Sequence, residues 1–146
     1  MAQSPYYQIG SMVRLATTRL GLSTARLLAR AGLADDHLLH EGRGVDARGW
    51  FSVINANTAE AGSPDVALTL AREAAKGPLQ PAILAFAASP SVGEGLRRIQ
   101  LFKPLIAPIR LAITEDTDGL AVEFRSADPA HPIGLGSGPI ALGSLA

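Results

Sequence analysis

Residues 63–124 read SPDVALTLAREAAKGPLQPAILAFAASPSVGEGLRRIQLFKPLIAPIRLAITEDTDGLAVEF, and the succession of signals in this stretch decides the fold. Its first part predicts three helices, and its last part predicts two short strands that pair with each other. Ser63 and Ser91 each stand before an apolar periodic run, in the position from which serine caps a helix. The stretch therefore predicts helices followed by an antiparallel hairpin.

The most apolar part of this stretch is PAILAFAA, residues 81–88. A helix that is apolar on every side is typically buried among several neighbours. We therefore expect a helix beginning at Pro81 to form the centre of the domain. The next helix is predicted over residues 92–103, ending before Pro104 and turning Phe102 inward.

Alternating apolar residues around an Asp-Gly pair predict the hairpin. Apolar and polar side chains alternate in residues 109–113 and again in residues 120–125. The pair Asp118-Gly119 between them is a strong hairpin signal. One face of the hairpin is expected to be buried, and an ion pair is expected across the strands between Arg110 and Glu123.

Three further helices are predicted ahead of this stretch, each ending at a glycine, over residues 9–20, 24–31 and 47–61. The third contains the single tryptophan, Trp50, and an asparagine, Asn57, close to its apolar stripe. If such an amide faces inward, it must hydrogen-bond to backbone, water or ligand. The alternative is that the amide lies at the surface or is satisfied by backbone.

Together these signals predict an α+β fold: a helix-rich domain of about six helices followed by a small antiparallel β-hairpin or sheet packed on the helices. We place this domain at residues 1–126. Residues 127–146 are rich in glycine and proline, so they are expected to form either a further hairpin or a flexible tail.

Composition excludes several functional classes. Thirteen basic and thirteen acidic residues give zero formal charge, and phosphate neutralisation drives nucleic-acid affinity, so we do not expect this chain to bind DNA directly. The absence of cysteine excludes disulfides and thiol nucleophiles and fits a reducing cytoplasm. The N-terminus lacks a signal-peptide pattern, and no apolar run is long enough to span a bilayer. We therefore expect a cytoplasmic protein without membrane contact.

The residues offer little catalytic chemistry. Asp36, His37 and His40 are close in sequence, but a metal site needs three or four converging ligands, and this segment is expected to be an exposed turn. The glycines of residues 134–143 resemble a phosphate loop only superficially, because no lysine follows them. No nucleophile elbow is present either. We therefore expect no enzyme activity, no catalytic residues, no metal and no cofactor.

Four stretches carry a resemblance to a known family. They are LLARAGL at residues 27–33, the long helix that Trp50 opens, GSPDVAL at residues 62–68 and AFAASPSVGEGLRR at residues 85–98. Their order and spacing, with the strand pair that ends at Phe124, are similar to the helix-rich N-terminal domain of AraC-type transcriptional regulators, the arabinose-binding-domain-like branch. The resemblance covers residues 9–126.

This resemblance implies a bacterial regulatory domain that binds a small effector and supports homodimerisation. In the family, the domain precedes a DNA-binding module of two helix-turn-helix units. No residue after Phe124 has that basic, twin-helix pattern, so DNA is expected to be reached only through a C-terminal domain missing from this chain. The family name does not imply that members bind arabinose, and the resemblance transfers no pocket residue.

A sensor of this kind needs a concave site with apolar walls and a few polar anchors. We expect the site between the central helix and the hairpin face. Trp50, Phe86 and Phe102 are the candidate walls, and Asn57 and Gln100 are the candidate anchors.

The alternative function is a protein–protein interaction module that dimerises without any small-molecule ligand. A large exposed apolar patch and the absence of a pocket would favour this alternative.

Overall fold

The computed structural model describes residues 6–76 and 81–133. The elements found there are α1 (Gly10–Leu20), α2 (Thr24–Arg30), a one-turn 3-10 helix (His37–Leu39), α3 (Ala47–Ala61), α4 (Val66–Ala75), α5 (Pro81–Ala87), α6 (Val92–Ile106), β1 (Ile109–Asp116) and β2 (Gly119–Ser126). Six α-helices followed by an antiparallel hairpin that packs on them confirm the predicted α+β class. No helix among the described residues is long and apolar enough to cross a membrane. Of the tail predicted over residues 127–146, residues 134–146 lie outside the described residues.

Capping residues account for several of the helix ends. Ser23, Asp46 and Ser91 each accept a hydrogen bond from the backbone N–H three residues further on. Each bond satisfies a donor that the first turn of a helix leaves open. Gly21 and Gly62 end α1 and α3 with φ angles of 66° and 65°, in the left-handed region that glycine adopts without steric cost.

The hydrophobic core is organised around α3. Val53 and Ile54 on its inner face are almost completely buried, and α3 packs against α1, α2 and α4. The surrounding elements contribute further buried apolar residues, which are Val13, Ala16, Leu27, Leu28, Val66, Leu70, Ile99 and Ile109. At the rim, Arg26 and Arg30 of α2 both bind the Glu60 carboxylate of α3, at 2.7 and 2.8 Å. Helix α3 is therefore the element around which α1, α2 and α4 pack.

The prediction that the apolar segment near Pro81 forms the centre of the domain is wrong. Helix α5 has seven residues, packs on α6 and leaves Leu84 51% exposed. The Phe86 ring of α5 packs against Gly95 of α6. A Cβ added at Gly95 would lie 2.6 Å from Cδ2 of that ring. The apolar composition of a segment indicates that it can be buried, but it does not determine how many other helices and strands pack against it. A two-turn helix at the edge of the bundle is covered on one side and open on the other.

Helix α6 differs from its prediction in length and in rotation. It continues through Pro104, although a proline removes one main-chain hydrogen bond and its ring crowds the carbonyl four residues earlier. Beyond the proline, the N–H of Ala107 still donates to the Lys103 carbonyl at 3.0 Å. The inner face continues from Ile99 to Lys103, four residues on, rather than to Phe102, three residues on. Phe102 is therefore exposed, and the prediction that it turns inward is wrong.

The hairpin has the predicted turn but not the predicted ion pair. β1 and β2 pair from Ile109 opposite Ser126 to Asp116 opposite Gly119. The Asp116 side chain closes the turn by accepting hydrogen bonds from the backbone N–H groups of Asp118 and Gly119.

This register decides which charges meet across the hairpin. Arg110 lies opposite Arg125, and Arg125 donates to the Glu123 carboxylate at 2.7 Å. The predicted pair between Arg110 and Glu123 is therefore wrong.

Candidate functional site

Asn57 is the most unusual polar residue in the bundle. It lies on the inner face of α3, is 1% exposed, and neither Oδ1 nor Nδ2 has a hydrogen-bond partner within residues 6–76 and 81–133. Asn55, two residues earlier, faces solvent. The inward-facing alternative raised by the sequence therefore applies to Asn57 and not to Asn55.

The energetics of this amide are unfavourable in the unliganded bundle. Burying an amide without hydrogen bonds costs about 1–3 kcal/mol judged from protein variants. More than nine-tenths of buried polar groups in folded proteins have a partner, so each exception asks for a physical cause. One such cause is a ligand or a water that supplies the missing bonds.

Trp50 lies on the same face of α3, seven residues before Asn57. Seven residues are two helical turns, about 10 Å along the axis. The indole is buried and meets the Phe51 ring edge to face, with 5.3 Å between centroids and an interplanar angle of 88°. The structure therefore brings two of the five predicted site residues onto one interior face, with Val53 and Ile54 between them.

The other three predicted residues lie around α6. Phe86 packs its ring on Gly95, and Phe102 is exposed. The Gln100 amide donates to the main-chain carbonyl of Leu111 at 2.8 Å, so this bond ties α6 to β1. Since α6 packs against both α5 and β1, the space expected between the apolar helix and the hairpin is where α6 lies.

A surface pocket of about 240 Å³ lies where α1 and α3 end and α4 begins, and none of the five predicted residues lines it. Its walls are Leu20, Leu22, Ala61, Ser63, Asp65, Val66 and Thr69. The volume is just below the roughly 300–1,000 Å³ typical of drug-sized ligands. Its one wall residue on α3, Ala61, lies one helical turn beyond Asn57. The sequence gives little sign of this pocket because it forms where the end of α1 lies beside the connection between α3 and α4, which is far along the chain from α1.

His37 supplies a second buried polar atom, which the sequence placed in an exposed turn. The residue begins the 3-10 helix and is 5% exposed. Burial, helped by the charge of Arg43, lowers the pKa of His37, so the ring is neutral near pH 7. The ring is hydrogen-bonded to the backbone of Arg43, and its Nε2 has no partner in the described part of the chain.

His40 lies apart from His37 and in a different environment. Its ring is exposed and bonded to the Asp36 carboxylate at 3.1 Å. The pair therefore does not converge as metal ligands. Across residues 6–76 and 81–133, no three His, Cys, Asp or Glu side chains are grouped to hold an ion.

Comparison with known proteins identifies the family. No individual curated protein matches the chain significantly. The family described as the arabinose-binding domain of AraC transcription regulator, N-term, matches residues 21–138, about four fifths of the chain. The matched range contains α2 through β2, and therefore both Trp50 and Asn57. This chain belongs to the family of N-terminal arabinose-binding domains of AraC transcription regulators.

Proposed function

We propose that this chain is the non-catalytic, ligand-sensing domain of a bacterial AraC-type transcription factor in the cytoplasm, where it works as a homodimer. It binds a small effector in the interior of the helical bundle and controls a DNA-binding domain outside these 146 residues. Family membership supports the regulatory role. The buried amide of Asn57, which has no hydrogen-bond partner in the described part of the chain, is the single observation that supports a ligand site.

The surroundings of the amide indicate the chemistry of the effector. Trp50, Val53 and Ile54 are apolar and buried, whereas Asn57 offers one acceptor oxygen and a donor NH₂ group. A mostly apolar compound with one group that both donates and accepts, such as a carboxamide or hydroxyl, complements this face. The pocket bordered by Ala61 and Ser63 provides the approach.

Binding regulates only if it favours one arrangement of the regulator over another. A ligand shifts such an equilibrium by its difference in affinity for the two states. An effector that hydrogen-bonds to Asn57 stabilises the effector-bound bundle, because it supplies the partner that the amide lacks among the described residues. The effector-bound bundle is then the state that acts on the DNA-binding domain.

The test is a thermal-shift screen of this chain against amino acids, sugars, fatty acids and acyl-homoserine lactones. A compound at about one hundred times its dissociation constant should stabilise the fold by about 2.7 kcal/mol, or roughly 5–10 °C. Asn57→Leu should abolish the shift. Asn55→Leu, a matched change at an exposed position of the same helix, should keep it. An equal shift in the wild type and Asn57→Leu would contradict the role of Asn57.

The second candidate function is an interaction module without a small-molecule ligand. Exposed apolar side chains at the end of α6, among them Leu101 and Leu105, favour it. A screen in which no compound raises the melting temperature, together with a stable dimer in solution, would support this candidate over the sensor.

A further inference from the structure

The C-terminal half of α6 carries an exposed apolar surface. Leu101, Phe102, Leu105 and Ile106 form it, and we call these four side chains the α6 face. The two leucines are 74% and 73% exposed, and Phe102 and Ile106 are 42% and 46% exposed. Leu101 and Leu105 are four residues apart, as are Phe102 and Ile106, so the members of each pair stack along the helix. The two pairs lie side by side and together cover about 140° of the helix circumference, which makes them one continuous surface.

The size of the α6 face matches the apolar part of a protein interface. Taking about 150–250 Å² for a whole large side chain, the exposed fractions amount to about 350–600 Å². A standard interface buries about 800 Å² on each partner, of which about 56–65% is apolar. The α6 face is thus large enough to be the apolar centre of such an interface, with polar residues around it.

The charge distribution favours a second copy of the same chain as the occupant. Across a two-fold axis each charge meets its own copy, so a self-associating surface must be free of unpaired like charges. Lys103, the ionisable residue among positions 101–106, turns inward and is 6% exposed. Arg98, at the edge of the face, is held by the Glu94 carboxylate and the Ala85 carbonyl. The α6 face is therefore neutral.

The spacing of the side chains also suits pairing with an identical helix. Leu101 and Leu105 form one row four residues apart, and Phe102 and Ile106 form the next. Rows of this kind interdigitate with the same rows of a second helix in the commonest class of helix packing. We propose that the α6 face joins two copies of this chain about a two-fold axis, α6 against α6. This inference rests on the proposed function, which expects a homodimer and leaves its surface unassigned.

Sedimentation equilibrium of the wild-type chain and two variants tests the proposal. The wild type should be dimeric at roughly 50 µM. Leu101→Gln/Leu105→Gln should raise the dissociation constant at least about tenfold, with an unchanged circular dichroism spectrum because both side chains are exposed. Leu39→Gln, at an 81% exposed leucine outside α6, should leave the dissociation constant unchanged.

Cross-linking provides a second readout that does not depend on weakening the interface. The chain has no cysteine, so Leu105→Cys introduces a single thiol close to the proposed two-fold axis. Oxidation should join two copies rapidly through residue 105, since disulfides need Cα atoms about 4.4–6.8 Å apart. Leu39→Cys should cross-link at least about tenfold more slowly, at the rate of random collision.

The outcomes separate this proposal from the sensor function. A monomeric wild type, or a dimer that the double glutamine variant leaves intact, would overturn the assignment of the α6 face. The sensor function is read independently, from the effector's thermal shift and its loss in Asn57→Leu. The dimer proposal can therefore fail while the sensor function stands, and the reverse is also true.

Discussion

Asn57→Leu should make the unliganded domain more stable, which is the reverse of the usual effect of a core substitution. Leucine has the same branched arrangement of heavy atoms as asparagine, so it fills the same space without polar atoms. The amide is 1% exposed and unpartnered among the described residues, and that burial costs about 1–3 kcal/mol. We expect the free energy of unfolding to rise by this amount, which corresponds to roughly 2–12 °C in melting temperature.

Urea unfolding provides the measurement, with two probes of the same transition. Circular dichroism follows the helices, and fluorescence follows Trp50, the single tryptophan, two turns away on the same face of α3. The midpoint should increase while the slope with denaturant stays constant, because the surface exposed on unfolding is nearly the same. Asn55→Leu, at an exposed position, should change stability by less than about 0.5 kcal/mol.

A loss of stability would refute the reasoning. If Asn57→Leu destabilises the fold by about 1 kcal/mol or more, the amide makes hydrogen bonds in the unliganded protein, through water or backbone. Asn57 would then be a structural residue of the core, and the argument that it waits for a ligand would fail.

Two further predictions concern α6. Burial lowers the pKa of Lys103 from 10.5 to about 8. Between pH 8 and 10.5 the unfolded chain binds more protons than the folded chain, so the free energy of unfolding should rise with pH, by up to about 3 kcal/mol. Urea unfolding from about pH 7 to 10 measures this rise, and Lys103→Met should lack it. Gly95→Ala places a Cβ 2.6 Å from the Phe86 ring, an overpacking cost of about 1–3 kcal/mol that exceeds the gain of about 1 kcal/mol in helix propensity. It should destabilise the wild type but stabilise a Phe86→Ala background by about 1 kcal/mol, measured by thermal unfolding.

A specific result would contradict each of these two predictions. Equal pH slopes for wild type and Lys103→Met would show that another group titrates. An effect of Gly95→Ala with the same sign in both backgrounds would show that the Phe86 ring does not set the spacing between α5 and α6.

Of the candidate site, the burial of Asn57 could be predicted in part from the sequence. Its position beside the apolar stripe of α3 indicates that the amide can face the interior, because a periodicity of 3.6 residues says which side chains share a face. The same reasoning could not foresee that the Gln100 amide is taken up by the Leu111 carbonyl. That bond depends on how α6 and β1 dock, eleven residues apart in sequence.

The burial of His37 shows the same limit. The carboxylates before it and the Gly42-Arg43-Gly44 segment after it predict an exposed turn. The structure instead buries the ring and hydrogen-bonds it to the backbone of Arg43, six residues on, a contact that no periodic pattern in the sequence indicates.

The sequence by itself determined where α3 begins and ends and where the hairpin turns. Asp46 and Gly62 bound α3 at Ala47–Ala61 as predicted, and Asp116 and Gly119 close the turn. Capping and turn bonds form between residues a few positions apart, so the local sequence contains all the groups involved. Only the tertiary structure decided that α3, and not the more apolar α5, is the centre, and that the α6 face is exposed. Burial depends on how many distant segments pack around a helix, and the apolarity of one segment does not contain that information.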